Sequence, residues 1–207
     1  MNQKILLGCL GLSLLLMGCS DSAAAFLEKG RALLDAGKYE EALPYLDQAV
    51  AKDSENAAAF LARGVAHFEL QHYPEARLDF DRAIALAPND YRGWFNRGNV
   101  RRERRELAGA LADYSEAIRR SPNLPALYIN RATVLEASDR RAALADLEKA
   151  IALGEKTGLA HYNLGLLQLK AGQTAAACGH LATAEELRFA KAATARRQAC
   201  PPSLRQP

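Results

Sequence analysis

Apolar residues recur three and four positions apart in paired blocks along most of this chain, as in "FLARGVAHFEL" (60–70) followed by "ARLDFDRAIAL" (76–86). That spacing puts the apolar side chains on one face of a helix, so each pair of blocks predicts two helices joined by a short turn. Small residues set a longer period. Gly30, Gly64, Gly98 and Ala132 stand 34 apart, as do Ala42, Ala76 and Ala110, and Ala49, Ala83 and Ala117. The interval drops to 33 once, from Ala132 to Gly165 and from Ala110 to Ala143, and returns to 34 at Ala177 and Ala184. The missing residue falls in "EASDRR" (136–141), between two helices, where a deletion rotates no helical face. Turn formers mark the joints at Asp53, Pro88, Ser121 and Gly154. The expectation is an all-α solenoid of five helix-turn-helix units over 23–56, 57–90, 91–124, 125–157 and 158–190. A capping helix over 191–200 closes its open end, and a disordered tail occupies 201–207.

A different pattern opens the chain. Lys4 precedes a nearly continuous apolar run from Ile5 to Met17, and Gly18 and Cys19 close it. This is the layout of a secretory signal peptide over 1–18, too short to span a bilayer comfortably and followed at once by polar Ser20 and Asp21. The run Leu16-Met17-Gly18-Cys19 resembles the lipobox of bacterial lipoproteins. The resemblance implies acylation of Cys19, with 19–22 as the acylated N-terminus and a short linker, and more than one acyl chain would anchor it stably. With Ser20 and not aspartate directly after the cysteine, it also implies the outer membrane and a periplasm-facing array, in preference to the inner membrane. Cys9 has no apolar segment before it and reads as an apolar filler.

The 34-residue units resemble the tetratricopeptide repeat (TPR) over Ala23 to about Ala190. The second unit carries Phe60, Gly64, Tyr73, Ala76, Phe80, Ala83 and Pro88; the third carries Trp94, Gly98, Leu107, Ala110, Tyr114, Ala117 and Pro122. The family resemblance implies a right-handed superhelix whose concave groove is lined by the first helix of each unit. Carried onto this chain, the groove places give Phe68 in the second unit and Arg92, Phe95, Asn96, Asn99 and Arg102 in the third. Ile129, Asn130 and Thr133 follow in the fourth, and Tyr162, Asn163 and Lys170 in the fifth. Asn96, Asn130 and Asn163 share one place in three consecutive units. An asparagine there can clasp the backbone of an extended peptide, or it can bridge helices within the array. The family's carboxylate clamp would need lysines where Phe95 and Leu159 stand and an arginine where Asn163 stands, so recognition of a chaperone's C-terminal carboxylate is not implied.

Charge narrows the picture little. The formal charge of +3 would fall to about +2 without Lys4, too balanced to imply a nucleic-acid partner. The run "NVRRERRE" (99–106) is the densest local feature. Arg92, Arg102 and Arg105 could bind an acidic segment or an anionic envelope polymer, or the run could pair internally with Glu103, Glu106 and Asp113. Arg101 and Arg104 fall where the family packs apolar residues, which predicts local strain or a wider groove.

No phosphate-binding glycine loop, nucleophile elbow or paired-histidine zinc motif occurs. His67, His72, His161 and His180 form no ligand set, with His161 in an aromatic packing place and His180 read as surface. The expectation is therefore no enzyme, no cofactor and no metal. Cys178 and Cys200 stand eleven residues either side of a joint near Phe189, level with each other if two helices fold back there. In an oxidising compartment they would pair as a disulfide that clips the capping helix down, the alternative being two free thiols. The combined reading is a lipid-anchored, non-catalytic adaptor that holds a peptide segment of an envelope protein. The alternative is a binder of anionic glycan or lipid through 101–105. Self-association through an open end of the stack is a further possibility.

Overall fold

The computed structural model describes residues 22–204. The expected signal segment over 1–18, Cys19 and most of the expected linker lie outside the described residues, as does the end of the tail.

Ten helices form five antiparallel pairs. They are α1 (Ala23–Asp35) with α2 (Tyr39–Lys52), α3 (Ala57–Glu69) with α4 (Tyr73–Leu86), α5 (Tyr91–Glu103) with α6 (Leu107–Arg120), α7 (Pro125–Leu135) with α8 (Arg140–Ala152), and α9 (Leu159–Lys170) with α10 (Thr174–Glu186). Each pair stacks on the next, and α11 (Ala192–Ala199) packs on α10. The tail, expected to lack order, carries a 3₁₀ turn at Pro202–Leu204, where Leu204 N donates to Pro201 O at 2.9 Å. The proline pair fixes backbone angles that favour such a turn.

Local chemistry repeats with the period. Ser22, Asn56 and Asp90, 34 apart, each accept a bond from a backbone N–H in the first turn of the following helix, and so satisfy donors that a helix start leaves open. At the fourth such place Leu124 cannot cap, and Pro125 begins the helix with no N–H to satisfy. In four of the five pairs the turn carries one left-handed residue, Gly37, Gln71, Arg105 and Gly172, with φ of 72°, 61°, 62° and 75°. The segment between α7 and α8 has none, and it is there that one residue fewer separates Ala132 from Ala143 than Gly98 from Ala110.

The core is a column of small-on-large contacts. Gly30 meets Leu46, Gly64 meets Phe80, Gly98 meets Tyr114 and Gly165 meets Leu181. A Cβ on Gly98 would lie 2.8 Å from a Tyr114 ring carbon, so the first helix of the pair can approach the second only without a side chain there. Phe80 and Tyr114 are fully buried as a result, each worth roughly 2–3 kcal/mol of apolar burial. The buried Tyr114 hydroxyl donates to Asn99 Oδ1 at 2.8 Å, and burial pushes its pKa up to about 12.

Between the pairs runs a ladder of charge. Arg63, Arg97 and Arg131, at 34-residue intervals, fork onto the buried carboxylates of Asp79, Asp113 and Asp146 within their own units. The third nitrogen of each guanidinium reaches back to the preceding unit, to Asp47 at 2.9 Å, Asp81 at 2.7 Å and Ser115 at 3.1 Å. Hydrogen bonds to the carboxylates raise the pKa of all three arginines, so the guanidinium side of each pair stays charged.

Candidate functional site

The first helices of the last three pairs, α5, α7 and α9, lie side by side; a hollow of about 370 Å³ lined by Arg102, Glu103, Arg105, Leu107, Thr133 and Val134 opens at the ends of α5 and α7, and two more border the asparagine places. One, of about 330 Å³, opens between α5 and α7 and is lined by Tyr91, Arg92, Phe95, Asn96, Leu124 and Leu127. The other, of about 90 Å³, lies between α7 and α9 against Thr133, Glu136, Asn163, Leu166 and Lys170. Asn96 and Asn163 thus each border an open space, one on either side of α7.

Asn130, between them, is engaged. Its Nδ2 donates to Ala126 O at 2.9 Å and its Oδ1 accepts from Arg102 at 2.8 Å. It bridges α5 to α7, while no described residue hydrogen-bonds the side-chain amides of Asn96 or Asn163. The three-residue series therefore divides into two open amides and one structural one.

Other expected groove residues are also committed elsewhere. Asn99 accepts the Tyr114 hydroxyl. Ile129 is 5% exposed and belongs to the core around Ala132, Leu147 and Leu164, so it adds no groove surface. Phe68 packs on Tyr73 with ring centroids 5.9 Å apart, Phe95 on Tyr114 at 6.0 Å and Tyr162 on Phe189 at 4.8 Å; all three are half-buried, and of them Phe95 lines the first hollow. Thr133 is exposed but turns its hydroxyl onto Ile129 O at 2.9 Å. Lys170 is paired with Glu136 across the second hollow.

The arginine run is largely consumed by internal pairing. Arg92 grips Asp90 through two nitrogens, and the pairing holds the Asp90 carboxyl below the usual range. Arg102 binds Glu103 and Asn130, and Arg104 binds Glu106. Arg101, expected to strain the third unit, instead reaches Asp113 at 2.8 Å and the Gly109 carbonyl at 3.3 Å, so its packing place is filled by a satisfied cation. Arg105 is exposed at the left-handed turn, and no described residue bonds its side chain. A broader asymmetry remains. Residues 20–90 carry 13 acidic against 7 basic side chains and residues 91–207 carry 11 against 19, and the basic excess lies in the third unit (91–124, 8 basic against 4 acidic) and in 191–207 (4 basic, no acidic), while the fourth and fifth units are balanced.

Sequence reasoning missed two further arrangements. The arginine–aspartate ladder was visible only as three more series at the repeat period, whose partners lie 15 or 16 residues apart. His180, read as surface, lies half-buried with its Nδ1 3.0 Å from Nδ1 of His161. Cys178 and Cys200 are bonded, with Cα atoms 5.8 Å apart, and join α10 to the end of α11. Among the described residues, no cluster of three or more His, Cys, Asp or Glu side chains could hold a metal ion, and no helix is long and apolar enough to cross a membrane.

Comparison with known proteins places this architecture. The tetratricopeptide repeat family model matches residues 27–91, 66–125 and 133–195. No curated protein matches the chain significantly. Among solved structures, pilF of Pseudomonas aeruginosa is similar at 20% identity, with 86% of each chain covered and a TM-score of 0.73. YrrB, a TPR protein with an unusual peptide-binding site, is similar at 20% identity, covering 85% of this chain and 92% of that one, with a TM-score of 0.65. The first TPR of Spaghetti, bound to the HSP90 peptide SRMEEVD, is 26% identical over 56% of this chain and 92% of its own, with a TM-score of 0.55.

Proposed function

Because the chain belongs to the tetratricopeptide repeat family, we propose that it is a non-catalytic scaffold that holds an extended peptide segment of a partner protein against α5, α7 and α9. The observation that carries this reading is the pair of open amides, Asn96 and Asn163, each beside a hollow flanked by half-buried apolar edges. An amide offers one donor and one acceptor side, which fits a peptide backbone whatever its sequence, and each hollow accepts a side chain. Peptide binding in YrrB and in the Spaghetti repeat accords with such a use of the fold. The lining here lacks the lysine and arginine places of a carboxylate clamp, so an internal segment suits it better than a C-terminal one.

The second part of the proposal concerns place. The layout of residues 4–19 supports export, acylation of Cys19 and a periplasm-facing array on the outer membrane, and the partner is then an envelope protein. Replacing Cys19 with Ala should release the protein from the membrane fraction; membrane attachment that survives the substitution would rule out the lipid anchor.

Affinity capture from detergent-solubilised envelopes tests the groove. A partner that is bound by wild type and by a Leu78→Ser control, but lost from an Asn96→Ala/Asn163→Ala variant, is the expected result. A second reading, binding of an anionic glycan or lipid, draws on the basic excess of the third unit, which holds the run 101–105. It predicts binding that falls steeply between low and physiological salt and is indifferent to Asn96 and Asn163.

A further inference from the structure

The fifth unit breaks the charge ladder. Where the fourth unit has Arg131 and Asp146, the fifth has Leu164 and His180, and the aromatic place of Tyr128 is held by His161. The two imidazoles meet across the α9–α10 pair, Nδ1 to Nδ1 at 3.0 Å, with ring centroids 5.2 Å apart. A ring nitrogen lies about 1.1 Å from its ring centre, so these two distances leave both nitrogens close to the line joining the rings. Each Nδ1 therefore aims at the other. Two ligands of one metal ion would instead aim at a third point off that line, and the geometry is that of a hydrogen bond.

Such a bond holds one proton between the two Nδ1 atoms. One ring must donate from Nδ1, and the other must keep Nδ1 bare and carry its proton on Nε2. A single added proton is accommodated on the donor ring. A second places an N–H on each side of a 3.0 Å gap, and the bond is replaced by repulsion between two cations.

We infer that His161 and His180 form a proton-operated latch between α9 and α10, closed at neutral pH and opened in mild acid. Burial, and then the charge of a protonated His161, keep His180 below the usual imidazole range, while Glu148 on α8 acts the other way. Of the other charges on the surrounding helices, Arg196 of α11 binds Glu185 of α10 at 3.1 Å, Lys170 of α9 binds Glu136 and Arg131 of α7 binds Asp146 of α8, while Arg140, Arg141 and Lys149 of α8 and Glu186 of α10 make no ion pair among the described residues. Because the folded protein holds His180 below the unfolded value near 6.5, the latch contributes fully above that pH. Its contribution is lost as pH falls toward the folded value. Opening is local, since the Cys178–Cys200 bond, two residues from His180, keeps the cap attached. Tyr162 and Asn163 follow His161 on α9, so an open latch displaces the second hollow; that consequence alone rests on the groove reading above.

The test is nitrogen-15 NMR of the histidine side chains in the intact chain, with amide exchange measured between pH 7.5 and 5. The expected spectrum at neutral pH has one of the two rings protonated at Nδ1 and the other at Nε2. Below pH 6, protection factors in α9 and α10 should fall about tenfold more than those in α5 and α6. His180→Gln, which keeps a hydrogen-bonding group without the titration, should remove that difference. Matching tautomers that titrate independently near pH 6.5, or an equal loss of α9–α10 protection in His180→Gln, would overturn the inference. Neither readout involves a partner, so failure of the latch and failure of peptide binding are separately visible.

Discussion

Arg97 and Asp113 meet as a two-pronged ion pair, Nε to Oδ2 at 3.0 Å and Nη2 to Oδ1 at 2.7 Å, with the aspartate 1% exposed. Arg97 also holds Asp81 of the preceding unit, so one guanidinium ties α5 both to its own partner helix and to α4. The two carboxylates are not equivalent. Asp113→Ala takes the shared buried carboxylate from two part-buried cations, Arg97 and Arg101, and should cost about 3–5 kcal/mol, whereas Asp81→Ala removes an exposed contact and should cost less than about 1 kcal/mol. Urea unfolding of the two variants checks the ratio; equal losses would show that the buried fork carries no special weight.

Ser115 stands where Asp47 and Asp81 stand in the two preceding units, and it gives Arg131 a hydroxyl where those give a carboxylate. Ser115→Asp restores the missing charge at an exposed place. It should stabilise the protein by about 0.5 kcal/mol, a rise of roughly 1–2 °C in Tm for a domain of this size, and the gain should shrink in high salt. Ser115→Ala should shift Tm the other way.

The bond between Cys178 and Cys200 closes a loop with a sequence separation of 22, and both residues are buried. Reduction, or the Cys178→Ala/Cys200→Ala variant, should cost about 3 kcal/mol and expose the amides of α11 to exchange first. Unchanged protection of α11 after reduction would mean that packing of Ala192 and its neighbours is enough to hold the cap.

Helix pairs, the repeat period and the place of the single deletion were legible in the sequence because each depends on residues near one another in the chain. The deletion falls at the left-handed turn: Gly37, Gln71, Arg105 and Gly172 have no counterpart between α7 and α8. The groove was less legible. Asn96, Asn130 and Asn163 look identical along the chain, yet Arg102, 28 residues before Asn130, decides that the middle one is spent on structure. Arg101 looked like a misfit until Asp113 and the Gly109 carbonyl were placed around it. Ile129 and His180 show the same limit, since burial of one and pairing of the other depend on which neighbouring helix they face.

The central claim is that open amides on α5 and α9 hold an extended peptide. Selection of a random peptide library on the immobilised protein, followed by fluorescence-polarisation titration of the enriched sequences, tests it most directly. The account predicts enriched peptides with two apolar residues at fixed spacing, bound about tenfold or more weakly by Asn96→Ala/Asn163→Ala and nearly unchanged by a doubling of salt. No enrichment over a blank surface, or peptides bound equally well by the double variant, would contradict it.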